Sequence, residues 1–443
     1  MFETLKNAWK VKDIRIKIII TILLLLVYRI GCYIPVPGVD FAQINTVFGG
    51  TGADFQTIMN ALTGGALANG ALFAMGIGPY INASIIMQLL TVGIPRLERL
   101  SKQGEDGRKK IAQYTRYVTI VLAIIQAVGI IFSLGKVNGS SGVIDPTLFF
   151  NGKAQWLAYT IIIVIFTAGS ALTMWLGERI TEKGIGNGIS LLIFVGILST
   201  AANALVTEFG KVFAGGADSN TALWSIIGFL IALLAIFTLI VFFDLAERRI
   251  PVQYAKQVKG RKMYGGQTTH IPIRINASGV LPLIFAYALL SFPQLIINMF
   301  WPTSAAASWY AQWLGMGTWL YSIVVCVLIV FFAFFYAQIQ FNAEDVSRNI
   351  QQYGGFIPGI RPGKPTTEYL SRVNNRITLF GAIFLALVAL VPTLIFKAVA
   401  GEGSSLINAF STTGLLIVVS VALEFDKQLE GQIMMRHYKG FLE

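Results

Sequence analysis

Few residues in this chain have the chemistry for catalysis. His270 and His437 are its two histidines, and neither stands in an HExxH pair or near a serine nucleophile signature. Zinc-protease and serine-protease chemistry therefore lack their parts. The run GIGNGIS (184–190) has the glycines of a phosphate-cradling loop, but no strand precedes it and no GK[ST] follows. Cys32 and Cys326 both fall in long apolar runs, so no disulfide framework is expected. A gradient-driven carrier holds ionisable groups at mid-membrane to bind its coupling ion. Here Arg29 lies inside the first apolar run, read as a side chain that snorkels or pairs locally, while Glu178 and Asp244 sit at run ends. No catalytic residue, cofactor or metal is expected, and an ion-coupled carrier is disfavoured. Energy for any transport must come from a partner or a gradient.

The elements that hold these residues follow from composition. The 443 residues are 55% hydrophobic and 13% charged, too little charge to cover a soluble protein of this size. Apolar runs of about 18 residues or more cross a bilayer as helices, and the runs show no period-two alternation of a barrel. Ten spans are predicted, at about 18–35, 74–93, 117–135, 154–176, 184–206, 222–243, 276–297, 318–339, 377–397 and 406–424. Lys and Arg crowd residues 1–17, 94–116, 177–183, 244–275, 340–376 and the tail, whereas the alternate loops carry Lys136, Lys153, Lys211 and Lys397. Positive loops stay cytoplasmic, so both termini are placed there. The net charge of +12 is then a property of one membrane face, serving orientation against lipid or docking of an acidic or RNA-rich partner. Residues 1–17 read as an amphipathic surface segment with no cleavage site behind it. Loops 244–275 and 340–376 exceed what a connection needs, the first with β-like apolar residues around a basic tip.

One span looks wrong for lipid. In GIGPYINASIIMQLL (76–90), Gly76, Gly78 and Pro79 interrupt the helix and Asn82 and Ser84 follow. Irregular backbone at membrane depth must be shielded by protein or line water. Ile81 and Ile85 stand one turn apart, and GIGNGISLLIF repeats the theme with Asn187, Ile189 and Ile193. The pattern fits a water-filled cavity closed by an apolar collar. It also fits ordinary packing isoleucines with glycines for close contact, and periodicity alone favours that second reading.

Longer segments carry a resemblance. RIGCYIPVPGV (29–39), GIGPYINASIIMQLL (76–90), GRKKIAQYTRY (107–117), GERITEKGIGNGIS (177–190), YAKQVKGR (254–261), THIPIRIN (269–276) and FIPGIRPGKPT (356–366) resemble the bacterial SecY family, channel subunits of the Sec protein translocase, in order along the chain. The resemblance implies an all-α polytopic membrane protein with ten transmembrane helices in two pseudo-symmetric five-helix halves around a central hourglass pore. Those halves are 18–206, with a plug helix at 55–65, and 207–424, with a cytoplasmic tail over 425–443. The implied pore ring is Ile81, Ile85, Ile189, Ile193, Ile284 and Ile417, stiff side chains that exclude ions yet yield to a passing chain. The implied plug holds Phe55, Ile58, Met59, Leu62, Gly64 and Gly65, a stretch too short and polar to span. Gln126 and Asn276 match a polar latch of the lateral gate. Arg261 and Lys262 in one loop and Arg361 in the other match the docking sites for the ribosome and the SecA ATPase. The expected function is a protein-conducting channel in the bacterial cytoplasmic membrane. It would work with SecE and SecG, take signal sequences and nascent or presecretory polypeptides, and release apolar segments into membrane lipids.

Overall fold

The computed structural model describes residues 6, 8–39, 63–135, 155–213, 219–254, 257–259, 262–264, 268–276, 279–300, 304–315, 318–400 and 412–439. In chain order the elements are α1 (Lys12–Gly31), α2 (Gly78–Gly93), α3 (Pro95–Ser101), α4 (Glu105–Gly135), α5 (Gln155–Lys183), α6 (Gly188–Phe213) and α7 (Ser219–Leu245). Strands β1 (Glu247–Tyr254), β2 (Gln257–Lys259), β3 (Lys262–Tyr264) and β4 (Thr268–Arg274) follow. Then come α8 (Leu281–Phe300), α9 (Ala305–Leu314), α10 (Trp319–Gln340), α11 (Ala343–Gln352), β5 (Gly355–Phe356), α12 (Lys364–Ala400) and α13 (Thr412–Lys439). Each of the ten predicted spans falls on one of these helices. Among the described residues, six helices are long and apolar enough to cross a membrane.

Cα packing divides the chain into two compact units. One comprises Met1–Leu230, Leu290–Thr318 and Phe396–Glu443; the other comprises Ile231–Leu289 and Trp319–Ile395.

In the first unit, α1 packs on α5 and α6, α2 on α4, and α6 on α13. The segment ahead of α2 is not helical. Gly64, Gly65, Gly70 and Gly76 all have positive φ, a backbone closed to most side chains. Much of its polar backbone is nonetheless paired, as apolar surroundings demand. Val36 N donates to Gly70 O at 3.0 Å and Leu72 N to Ile34 O at 2.9 Å. Phe73 stacks on Tyr28 with ring centroids 5.7 Å apart, against Gly31 of α1, where a Cβ would run into the Phe73 ring. The second span therefore starts as helix at Gly78 rather than at 74, because Gly76 turns the chain at φ +52° and Pro79 then fills the first helical turn.

The glycine run before α6 is a helix cap. Asn187 Oδ1 accepts from Ile189 N at 3.1 Å, Thr181 Oγ1 from Gly188 N at 2.9 Å, and Thr21 Oγ1 from Ile185 N at 3.1 Å. Those donors are the ones a phosphate would need, so the run has no cradle to offer.

In the second unit, the described parts of the long loops 244–275 and 340–376 form one folded layer. β1 pairs antiparallel with β4, Ile250 opposite Ile271, and on its other edge with β5, Gln253 opposite Phe356. Ile250, Val252, Ile273, Ile350, Ile357 and Leu370 close a small core beneath the sheet. Within the membrane half of this unit, Phe243 of α7 stacks on Phe384 of α12 at 3.6 Å between centroids.

Candidate functional site

Five of the six isoleucines expected in the pore ring lie in the first unit. Ile81 and Ile85 are on α2, Ile189 and Ile193 on α6, and Ile417 on α13. Because α6 packs on α13, Ile189, Ile193 and Ile417 stand on adjoining helices. Ile85, Ile193 and Ile417 are buried, whereas Ile81 and Ile189 are half-buried. Ile284 is half-buried on α8 in the second unit. Gly177 of α5 makes room for Ile189: a Cβ there would come within 3.2 Å of Ile189 Cγ1.

Of the residues expected in the plug, Phe55, Ile58, Met59 and Leu62 lie outside the described residues. Gly64 and Gly65 are described, and their turn is fastened. Arg29 Nη1 donates to Gly64 O at 3.1 Å, and its Nη2 donates to Tyr33 Oη at 3.2 Å and to Ser199 Oγ of α6. The guanidinium also lies over the Tyr33 ring, 5.4 Å from its centroid. Tyr28 Oη adds a bond to Thr63 O at 3.5 Å. Arg29 thus pairs locally with Tyr33, as expected, and in addition reaches two acceptors distant in the chain, Gly64 and Ser199. The sequence signal was a lone cation inside the first apolar run.

Gln126 is half-buried on α4 in the first unit, and Asn276 is buried after β4 in the second. Asn276 Nδ2 donates to Asp244 Oδ1 at 2.9 Å, a partner that sequence reading did not assign. Arg261 lies outside the described residues, and Lys262 opens β3 opposite Lys259 of β2. Arg361 is exposed, on a turn held from both sides. Thr366 Oγ1 donates to its carbonyl at 2.8 Å, and Ser347 Oγ donates to Gly363 O at 3.1 Å. Gly359 and Gly363, at φ +82° and +97°, give the turn its shape. Among the described residues no cluster of His, Cys, Asp and Glu is arranged to hold a metal ion.

Solved structures share this fold. One is a SecY channel whose plug domain stabilises the closed state and maintains a membrane seal; it has a TM-score of 0.65 at 21% identity, over 94% of this chain and 91% of that one. Another is Sec61 in the canine ribosome–channel complex of the endoplasmic reticulum, with a TM-score of 0.62 at 19% identity and the same coverage. The fold is therefore that of a helical protein-conducting channel in a membrane. A profile of SecY matches residues 71–425. The protein translocase subunit SecY of Streptomyces galbus is 44% identical over the full length of both chains. The chain belongs to the SecY family.

Proposed function

We propose that this chain is the passive pore of a bacterial Sec translocase, carrying unfolded polypeptides across the cytoplasmic membrane and releasing apolar segments sideways into lipid. The observation that carries the reading is a full-length match to a translocase subunit in a chain whose spans are almost free of ion-binding acids. The halves 18–206 and 207–424 would part around an hourglass pore. Ile81, Ile85, Ile189, Ile193, Ile284 and Ile417 would form its waist, which stays dry at rest because water is poorly held between branched apolar side chains. Residues 55–65 would plug the outer funnel, and Gln126 and Asn276 would border the lateral gate. Both termini would be cytoplasmic, as the Lys and Arg distribution supports. SecE and SecG are the expected partner subunits. The ribosome and SecA would dock on the layer built from loops 244–275 and 340–376, and the chain itself would catalyse nothing.

The test is reconstitution with SecE in proteoliposomes, supplied with SecA, ATP and a presecretory protein. Protection of that protein from added protease, dependent on ATP, is the expected result. Small-solute counterflow without such protection would replace the channel by a carrier.

A further inference from the structure

We infer that Arg29 is a positioning residue that ties the Thr63–Gly65 turn to α6, the helix bearing Ile189 and Ile193, and so sets how readily the closed channel opens. The inference rests on the collar and plug reading above.

A guanidinium is charged at any accessible pH and costs desolvation energy inside a membrane bundle. Among the described residues Arg29 meets that cost without a carboxylate: its hydrogen-bond acceptors are the Gly64 carbonyl and the hydroxyls of Tyr33 and Ser199. These three point in different directions, and a planar fork reaches them at once where an ammonium would reach fewer. The clamp joins the end of α1, the turn and α6. Backbone contact reinforces it. Gly64, at φ +69°, has no space for a Cβ, which would strike the guanidinium and come within 2.9 Å of Gly196 Cα on α6. Gly196 lies one turn beyond Ile193 on that helix, so a shift of α6 that widens the collar draws Ser199 and Gly196 away from Arg29 and Gly64. The clamp is complete only with α6 in the arrangement seen here. With the present arrangement taken as the resting one, its strength belongs to the closed state.

The experiment compares full-length Arg29→Met, Arg29→Lys, Gly64→Ala and Ser199→Ala, each with SecE, in planar bilayers and proteoliposomes, with a 55–65 deletion as reference. Resting ion conductance and transport of a substrate with a defective signal sequence are read together. Arg29→Met and Gly64→Ala should raise the ratio of open to closed channels about tenfold, equivalent to about 1.4 kcal/mol, and should increase transport of the defective substrate. Arg29→Lys should recover part of the closure, because charge remains while the fork is lost. If Arg29→Met fails to accumulate, Gly64→Ala and Ser199→Ala decide, since both leave the charge in place. A deletion that leaks beside point variants at the wild-type level overturns the clamp and leaves the plug reading standing. A deletion that does not leak removes the plug reading, and the clamp with it. Loss of transport for the defective and the intact substrate alike, without added leak, would mark Arg29 as merely structural and also overturn the inference.

Discussion

Asn276 Nδ2 donates a 2.9 Å hydrogen bond to Asp244 Oδ1, joining the end of α7 to the turn that leads into α8. Asn276 is buried, and its Oδ1 has no hydrogen-bond partner among the described residues. Asp244 thus supplies what stability this amide has.

Asp244→Ala should therefore cost about 1–3 kcal/mol, the penalty of leaving a buried donor unpaired. Asp244→Asn should recover most of it, because an amide oxygen still accepts the bond. Thermal denaturation of the purified protein in detergent checks both. Equal stability of Asp244→Ala and wild type would mean the pair contributes nothing.

The close approach of α5 and α6 makes a second prediction. A Cβ at Gly188 would lie 2.7 Å from Ile180 Cβ and 2.9 Å from the Gly177 carbonyl carbon. Neither can retreat cheaply, one being a branched core side chain and the other backbone. Gly188→Ala should cost about 1–3 kcal/mol, the usual penalty for overpacking. The readout is again the denaturation temperature, and Gly210→Ala, which meets nothing within 4 Å, is the control.

Spans were legible because a bilayer demands about 20 apolar residues per crossing, whatever the fold. Helix ends were not. α12 begins at Lys364 and α13 runs to Lys439, since Glu, Lys, Arg and Gln continue a helix after the lipid stops asking for apolar residues. The sheet was half legible. Loop 244–275 reads as strand, but β5 is only Gly355–Phe356, and its pairing with β1 bridges about a hundred residues that no local pattern reports. Arg29 was visible as an anomaly, yet one of its acceptors is a backbone carbonyl, which every residue possesses, and another is a serine 170 positions away. Sequence can flag such a cation and cannot name its partner.

The collar carries the third prediction. Ile81, Ile189 and Ile417 replaced one at a time by Asn should wet the neck, since an amide holds water where a branched alkyl group does not. Resting conductance in planar bilayers should rise about tenfold, a shift of about 1.4 kcal/mol in the closed state. Ile417 is the most telling of the three, being 2% exposed and on a helix packed against that of Ile189. An unchanged leak in all three variants would sink the assignment of the ring.

The layer built from loops 244–275 and 340–376 carries the last prediction. Arg361 is exposed on a turn whose backbone is fixed by Thr366 and Ser347, so its guanidinium is offered to a partner from a rigid base. A guanidinium suits a carboxylate through two parallel bonds. Arg361→Glu should therefore cripple SecA-driven transport, as breaking a charge pair at an interface costs about 2–5 kcal/mol. Thermal stability should hold, because the bonds that shape the turn use its carbonyl and not its side chain. Reversing Arg261 and Lys262 together should instead weaken ribosome binding. That binding should fall steeply with added salt, since each cation seated on RNA phosphate releases counterions. One reconstituted preparation assayed both ways decides between them. Should Arg361→Glu abolish ribosome binding and leave SecA-driven transport intact, the division of labour within the layer is the reverse of the one argued.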